Sequence, residues 1–324
     1  WFASRYERPD WLLGEHDRLE KHVAAIRRAD VASRSYRFLP LVLLWMEIDA
    51  AVSEVRMPLH WQSFGETPVT VHRSSWTNPQ ATFVGVKGGS PSANHGQMDI
   101  GSFVLDADGR RWAIDLGAEG YHGIESRGMN LWDRGQDSDR WTIFRQCNSG
   151  HNTLVINGQL QRAAGHGSFR KFSDDPTCPH SVLDMTEVYT GQAESVKRGV
   201  ALLPSGEVLI QDQLTGLKPG TAVRWGMITP GTADEAGSNT IQLRQGDAEL
   251  DLALMAPATS TWTVLDTETP RNPWDSPNRG TCMVAIEHQA SPSGELTFVV
   301  LATPGSCKRS EKESLRFRRL EEWE

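Results

Sequence analysis

Long apolar runs are absent from this sequence of 324 residues, and that absence limits the class of protein it encodes. No run approaches the roughly 20 residues needed to span a bilayer, which argues against a transmembrane helix. The longest run, Leu39 to Ile48, is predicted to be a buried helix. The first residue is Trp1 and no signal-peptide pattern follows it, so we expect a chain that was truncated or processed upstream.

Cysteine is also scarce, with four residues that lie far apart and form no C-x-x-C motif. This spacing argues against a zinc ribbon and against a disulfide-rich fold. Four cysteines permit three full pairings, and the sequence does not choose among them. Free thiols and a single disulfide both stay open. The cysteines are Cys147, Cys178, Cys282 and Cys307.

Positive charge is in deficit, because the formal net charge is −8. A negative field disfavours general nucleic-acid binding, and a polyanionic ligand would need a local basic patch. The composition, with 38% hydrophobic and 23% charged residues, is typical of a soluble globular protein. A sizeable buried core is expected from this length.

Residues 1–57 carry the periodicity of helices. Asp10 is a suitable cap for the first helix, and a second helix is predicted after Pro40, because proline suits a first helical turn. Two helices alone cannot enclose a core, so we expect them to pack against each other and against a further element. The apolar stripe of the first helix is formed by Leu12, Leu19, Val23 and Ile26.

Residues 58–324 change to a period of two, which indicates strands. Many short strands separated by Gly, Pro, Asn and Asp, with no helices between them, predict a large antiparallel β-sandwich. Asp106–Gly109 is predicted to be the turn between two of the strands. The predicted strands are 69–71, 82–86, 102–105, 111–114, 153–156, 207–210 and 296–301.

Polar side chains gather where the predicted strands begin and end. Asn94, His95 and Gln97 precede one strand. Asp115 ends the next strand, and His151 opens a third. If these strands are neighbours, Gln97, Asp115 and His151 offer two oxygens and one nitrogen that suit zinc or manganese. Ordinary turn and hydrogen-bonding roles are the alternative.

A glycine-rich loop with Tyr121 and His122 follows, and then a basic window. Residues 127–171 contain seven basic and three acidic residues, in contrast to the acidic chain as a whole. The window is either a solvated face or a surface that attracts an anionic chain. Candidate contacts to an acidic ligand are Asn94, Arg127, Arg140 and Arg145. Four tryptophans are interpreted as core residues rather than sugar-binding platforms: Trp76, Trp112, Trp132 and Trp141.

Two stretches, "NHGQMDIGSFVLDADGRRWAIDLGAEGY" and "LWDRGQDSDRWTIFRQCNSGHNTLVING", occur in this order between Glu66 and Gly158. Together they resemble the heparinase II/III-like polysaccharide lyases. The resemblance implies an α/α toroid followed by antiparallel β-sheets, with the active site between them. Residues 1–57 would then be the last helices of a toroid whose remainder is missing, and residues 58–324 the sandwich domain.

The resemblance also implies a chemistry, the cleavage of a uronic-acid polysaccharide by β-elimination. His95 matches the catalytic histidine on the sandwich side and is assigned to a proton relay or to the substrate carboxylate. Tyr121 matches a tyrosine that faces the substrate, and the choice of base and acid between His95 and Tyr121 stays open. Histidine and tyrosine suit proton transfer when their surroundings shift their pKa values towards the working pH. The implied substrate is heparin or heparan sulfate, another glycosaminoglycan, or alginate.

The metal ligands are where this chain departs from the family pattern. Relatives show His-Gly-His where this chain has His95-Gly96-Gln97, while Asp115 and His151 match the other two ligands. An amide oxygen in place of an imidazole weakens a zinc site and favours a harder ion such as manganese. The implied role of the ion is structural.

Two other functions stay open, and neither requires elimination chemistry. One is a carbohydrate-binding sandwich that has lost the chemistry. The other is a metallohydrolase using Asp115 and His151, which lacks a general-base motif such as H-E-x-x-H. A polymer substrate implies a periplasmic or secreted protein, with neither nucleic acid nor membrane as a partner.

Overall fold

The computed structural model describes residues 1–12, 15, 18–21, 24, 41, 57–234, 238–307 and 318–323. The chain divides into two compact units, Trp1–Pro58 and Leu59–Glu324. In the first unit, α1 spans Phe2–Arg5 and a 3-10 turn spans Pro9–Leu12. Val23 and Ile26 of the predicted N-terminal stripe lie outside the described residues, as does most of the predicted helix after Pro40. In the part of the chain that is described, no helix is both long and apolar enough to cross a membrane.

The second unit consists of strands joined in three antiparallel sheets. The sheet orders are β1-β2-β3-β4-β5, β12-β13-β14-β17-β10-β9-β8-β7 and β15-β16-β11-β6. One short helix, α2 (Tyr121–Glu125), lies between β5 and β6. The strands are β1 His60–Gln62, β2 Val69–Arg73, β3 Phe83–Lys87, β4 Phe103–Ala107, β5 Arg110–Ala113, β6 Leu154–Ile156, β7 Ser168–Ser173, β8 His180–Asp184, β9 Ser195–Leu202, β10 Val208–Thr215, β11 Ala222–Thr229, β12 Thr232–Ala233, β13 Thr240–Gln245, β14 Ala248–Ala256, β15 Trp262–Asp266, β16 Cys282–Gln289 and β17 Leu296–Pro304.

This architecture confirms the predicted mainly-β fold with antiparallel sheets. Each of the seven predicted strands overlaps an observed one. The predicted turn between β4 and β5 is also confirmed, and Asp108 and Gly109 both adopt positive φ angles there, of 53° and 68°. Two consecutive residues with positive φ match the twist of a tight hairpin.

The three sheets share one hydrophobic core. Trp225 of β11 packs at 5.9 Å from Phe103 of β4 and at 5.7 Å from Trp262 of β15, measured between ring centroids. The core interpretation is confirmed for Trp112 and Trp141, which are buried, and is wrong for Trp76 and Trp132, which are exposed. All four cysteines are free thiols.

A buried ion pair links the largest sheet to the loops that carry the candidate site. Arg198 and Asp212 face each other across β9 and β10, and both side chains are fully buried. Arg198 also donates to the carbonyl oxygens of Gly101 and Asn152 at 2.6 and 2.7 Å. A buried guanidinium needs such partners, so the pair fixes both loops to the core.

The side chain of Asn152 fixes the neighbouring strand ends. It donates to the carbonyl oxygens of Phe103 and Ile114 at 2.8 and 2.9 Å and accepts from the Ile228 amide at 2.6 Å. Asp115 follows Ile114 in the chain and His151 precedes Asn152. This one amide therefore holds Asp115 and His151 on neighbouring segments.

Candidate active site

His95 lies in a tight turn of the loop between β3 and β4. The Gly96 amide donates to the Ala93 carbonyl at 2.8 Å, and His95 has a φ of 56°, which is uncommon for a residue with a side chain. A Cβ added at Gly96 would lie 2.4 Å from the Pro91 carbonyl oxygen, so this turn requires glycine. The turn leaves the His95 side chain exposed.

Three aromatic side chains meet at the surface and form what we call the ring cluster: His95, Tyr121 and Trp132. The Nδ1 atom of His95 lies 3.1 Å from the Tyr121 hydroxyl, and the two rings are almost parallel, at 6°. Trp132 stands edge-on to both rings, with centroid distances of 5.8 and 5.4 Å, and is 53% exposed. The cluster therefore presents two proton-exchanging groups beside an accessible indole.

Tyr121 is the first residue of α2, and the buried Glu119 fixes the start of that helix. Glu119 accepts from the Gly120 amide at 2.9 Å and from the amide and hydroxyl of Ser276 at 2.8 and 2.6 Å. Burial raises the pKa of Glu119, but these hydrogen bonds and the nearby Arg145 outweigh it and lower the pKa overall. The loop between β15 and β16 thus supports the segment that carries Tyr121.

Arg140 lies beneath the ring cluster and is only 4% exposed. Its guanidinium donates to the carbonyl oxygens of Leu131 and Gly96 at 3.1 and 2.5 Å. Burial lowers the pKa of Arg140, and interaction with the Tyr121 hydroxyl opposes that shift. These contacts differ from the direct contact with an acidic ligand that the sequence predicts for Arg140.

The other residues predicted to contact an acidic ligand are either at the surface or bonded to protein groups. Asn94 is exposed beside His95. Arg127 is exposed but donates to the Gly123 carbonyl within its own segment. Arg145 donates to the Asn278 amide oxygen at 2.8 Å and lies 3.9 Å from the Glu119 carboxylate. The structure therefore places Asn94 and Arg127 at the surface, and it directs Arg145 to its protein partners.

Asp115 and His151 are brought together as the sequence predicts. The Asp115 carboxylate lies 2.9 Å from His151 Nδ1 and also accepts from the Gly117 amide at 2.8 Å. Burial raises the pKa of Asp115, but His151 and the Gly117 amide outweigh it and hold the pKa at about 2. Burial lowers the pKa of His151, and Asp115 outweighs that effect and raises it.

Asp99 joins this pair, although it is not among the candidate ligands predicted from the sequence. The ligand atoms of Asp99, Asp115 and His151 all lie within 4.8 Å of one another, a spacing that suits a metal ion. Lys87 lies at 2.7 and 2.6 Å from the two carboxylate oxygens of Asp99 and neutralises it. The signal in the sequence was the position of Asp99 two residues after Gln97, ahead of a strand.

Two polar groups in this region lack a protein partner among the described residues. The Nε2 atom of His151 is buried and makes no hydrogen bond there. The side chain of Gln97 is only 9% exposed, and no hydrogen bond of its amide occurs in the described parts of the chain. Buried polar atoms are normally paired, so the unpaired Nε2 atom is unusual, while the ionised Asp115 carboxylate at the other ring nitrogen, Nδ1, is a group that a cation would bind.

The structure is an antiparallel β-sandwich that carries a histidine–tyrosine pair at its surface and a group of two aspartates and one histidine. Residues 62–290 match the family described as "Heparinase II/III-like, C-terminal". The chain belongs to this family. No curated protein matches it.

Solved structures give the same fold at low sequence identity. The chain superposes on the heparinase III BT4657 gene product with a TM-score of 0.61 and 15% identity, covering 83% of this chain and 40% of the other. For another heparinase III structure the TM-score is 0.58, the identity 18% and the coverages 73% and 35%. For the heparan sulfate lyase HepC from Pedobacter heparinus they are 0.58, 14%, 88% and 41%. The chain thus spans well under half the length of these proteins.

Proposed function

We propose that this chain is the sandwich part of a polysaccharide lyase that cleaves a uronic-acid polymer by β-elimination. The observation that carries the proposal is the exposed contact between His95 Nδ1 and the Tyr121 hydroxyl at 3.1 Å. Family membership and the lyase structures that share the fold support it. The substrate is proposed to be heparin or heparan sulfate, another glycosaminoglycan, or alginate.

The reaction removes the C5 proton of a uronate and breaks the bond from C4 to O4, which leaves a double bond between C4 and C5. A base takes the C5 proton, an acid protonates the departing O4, and a third group neutralises the carboxylate so that charge can develop at C5. Tyr121 acts as base or acid in this scheme. His95 relays the proton or contacts the carboxylate.

Trp132 and Asn94 extend this site. An exposed indole beside the reacting pair suits the apolar face of a sugar ring. Asn94 provides an amide for hydrogen bonds to the substrate, and the exposed Arg127 provides a positive charge for its acidic groups. The rest of the active site, including the remaining catalytic groups, is proposed to come from the N-terminal toroid of the complete protein.

A divalent ion is proposed to bind Gln97, Asp115 and His151. The Asp115 carboxylate is ionised and lies 2.9 Å from His151 Nδ1, a separation that two ligands of one ion can have, and this supports the ligand set. Lys87 already neutralises Asp99, so Asp99 is a neighbour rather than a first choice of ligand. When bound, zinc or manganese would fix the strand ends behind the ring cluster, and no step of the elimination requires it.

The test uses the full-length protein that contains this segment and a panel of uronate polymers. We expect an increase in the ultraviolet absorbance of the unsaturated uronate, with no oxygen from water entering the product. A protein that retains the polymer without this absorbance would be the carbohydrate-binding alternative, which the exposed Trp76 and Trp132 favour. Oxygen from water in the product would instead indicate hydrolysis.

The protein is proposed to act in the periplasm or outside the cell, where such polymers occur.

A further inference from the structure

Arg140 is a buried cation whose partners are not acids. In the described parts of the chain, no carboxylate lies within ion-pair distance of its guanidinium. Its two observed hydrogen bonds go to the carbonyl oxygens of Gly96 and Leu131, and it also interacts with the Tyr121 hydroxyl. Burying a guanidinium without a carboxylate in contact is costly, and among the described residues only the more distant Asp99 and the Trp141 ring at 5.4 Å offset its charge. We therefore look for a role of Arg140 beyond stability.

Each partner of Arg140 adjoins one member of the ring cluster. Gly96 follows His95 in the chain, Leu131 precedes Trp132, and Tyr121 is itself a member. Gly96 lies in the loop between β3 and β4, whereas Tyr121 and Leu131 lie at separate points of the connection between β5 and β6. A planar guanidinium has five donors in a fixed geometry, so it can join these three points.

We propose that Arg140 is the positioning residue of the active site, which sets the distance between His95 and Tyr121 and the orientation of Trp132. This inference rests on the proposed function, because it assigns Arg140 a part in that reaction. Arg140 does not bind the substrate in this account. Its effect passes through the two proton-exchanging groups that it holds together.

The kinetic test compares Arg140→Gln with Arg162→Gln in the full-length protein. Arg162 is a matched control, because it donates to a single backbone carbonyl, that of Thr190, outside the ring cluster. Misplacing catalytic groups by about 1 Å costs on the order of 100-fold in rate. We therefore expect R140Q to lower kcat by on the order of 100-fold with KM almost unchanged, and R162Q to leave both constants at wild-type values. A raised KM with an unchanged kcat would overturn the proposal in favour of substrate binding.

A lysine at position 140 tests the effect of the positive charge separately from that of the hydrogen-bond geometry. Arg140→Lys keeps the positive charge but loses the planar arrangement of donors, so it cannot reach all three partners at once. We expect R140K to lower kcat nearly as much as R140Q does. Full kcat in R140K would overturn the proposal, since charge alone would then suffice. If R140Q does not fold, as judged by thermal unfolding, the comparison of R140K with wild type decides.

A second readout does not depend on activity. Histidine labelled with ¹³C gives a ring signal for each residue, and the signal of His95 is assigned by its loss in His95→Gln. We expect the R140 variants to shift or broaden this signal and to leave that of the distant His288 unchanged. An unshifted His95 signal in both variants would overturn the positioning role. If wild type makes no unsaturated product, the proposed function fails, and the His95 signal alone decides whether Arg140 positions the cluster.

Discussion

His95 has a left-handed backbone conformation, with φ at 56°. Histidine is among the residues enriched in this region, but the conformation still costs free energy, of order 1 kcal/mol or more. Gly96 makes the turn sterically feasible, and the Gly96 carbonyl accepts from Arg140. The strained conformation is thus held by the Gly96 turn and by Arg140, which we propose also orients the His95 ring.

The Asp115–His151 pair predicts a specific dependence of stability on pH. Asp115 has a pKa lowered from 3.8 to about 2, so its contribution is complete above pH 3.8 and is lost as the pH falls through 2. His151 has a pKa raised above 6.5, so its contribution is complete below pH 6.5 and is lost as the pH rises through the raised value. Asp115→Asn should therefore cost most stability between pH 3.8 and 6.5.

The measurement is the free energy of unfolding of wild type and D115N in denaturant, in the presence of a chelator, from pH 2 to pH 9. Asp106→Asn is the matched control, because Asp106 pairs with the exposed Arg111 at the surface and surface pairs contribute little. A difference between D115N and wild type that stays constant from pH 2 to pH 9 would contradict the assigned shifts.

Asp115 and His151 could be predicted from the sequence because both lie at strand ends, where a sheet brings distant residues together. Asp99 and Lys87 could not, because their ion pair depends on the path of the loop between β3 and β4. The same limit applies to Trp132, which the sequence analysis assigned to the core. Its exposure depends on the ring cluster, and no periodic pattern marks that cluster in the sequence.

The loop between β3 and β4 depends on a close backbone approach at Gly96. A Cβ there would meet the carbonyl oxygens of Pro91 and Ala93 at 2.4 and 2.8 Å, so the turn must shift to accept alanine. We expect Gly96→Ala to lower the free energy of unfolding by about 1–3 kcal/mol, the usual cost of overpacking. Denaturant unfolding measures this directly.

Gly120 provides the control for this substitution. A Cβ at Gly120 meets nothing within 4 Å, so Gly120→Ala should leave stability within about 0.5 kcal/mol of wild type. Equal stabilities for the two variants would refute the tight turn at Gly96. The expected loss in G96A would also alter the ring signal of His95, since the two residues are consecutive.

Strands with regular alternation were predictable, whereas strands with buried polar residues were not. In β2 the exposure alternates along the strand, as the sequence pattern indicates. In β9 the segment Lys197–Gly199 interrupts any apolar pattern, and Arg198 is nevertheless fully buried. Its burial depends on Asp212, which faces it across the sheet. Only the pairing of β9 with β10 explains the charge in the core.

At the scale of the whole molecule, the metal proposal makes a prediction about stability. A ligand that binds only the folded protein stabilises it by about 2.7 kcal/mol at a concentration 100 times its Kd. After removal of metal with a chelator, we expect zinc or manganese to raise the Tm of wild type and to leave that of D115N unchanged. Elemental analysis should find about one ion per wild-type chain. No bound ion and no change in Tm would remove the metal site from the account.

The chain spans 40% of the heparinase III BT4657 gene product, so the matching region is only one part of that larger protein. The family model covers residues 62–290, which lie within the second unit of the chain. The exposed pair of His95 and Tyr121 is consistent with the proposal that a second domain completes the site. The mainly-β fold was predictable from the periodicity of the sequence.

The most direct test of the account is the rate at which the full-length protein forms unsaturated uronate, compared between His95→Gln and His122→Gln. His122 is the matched control, an exposed histidine next to Tyr121 whose ring lies outside the ring cluster. The account predicts that H95Q loses at least about 100-fold in rate, as removal of a general acid–base group does, and that H122Q retains the wild-type rate. Equal rates for wild type and H95Q would contradict it.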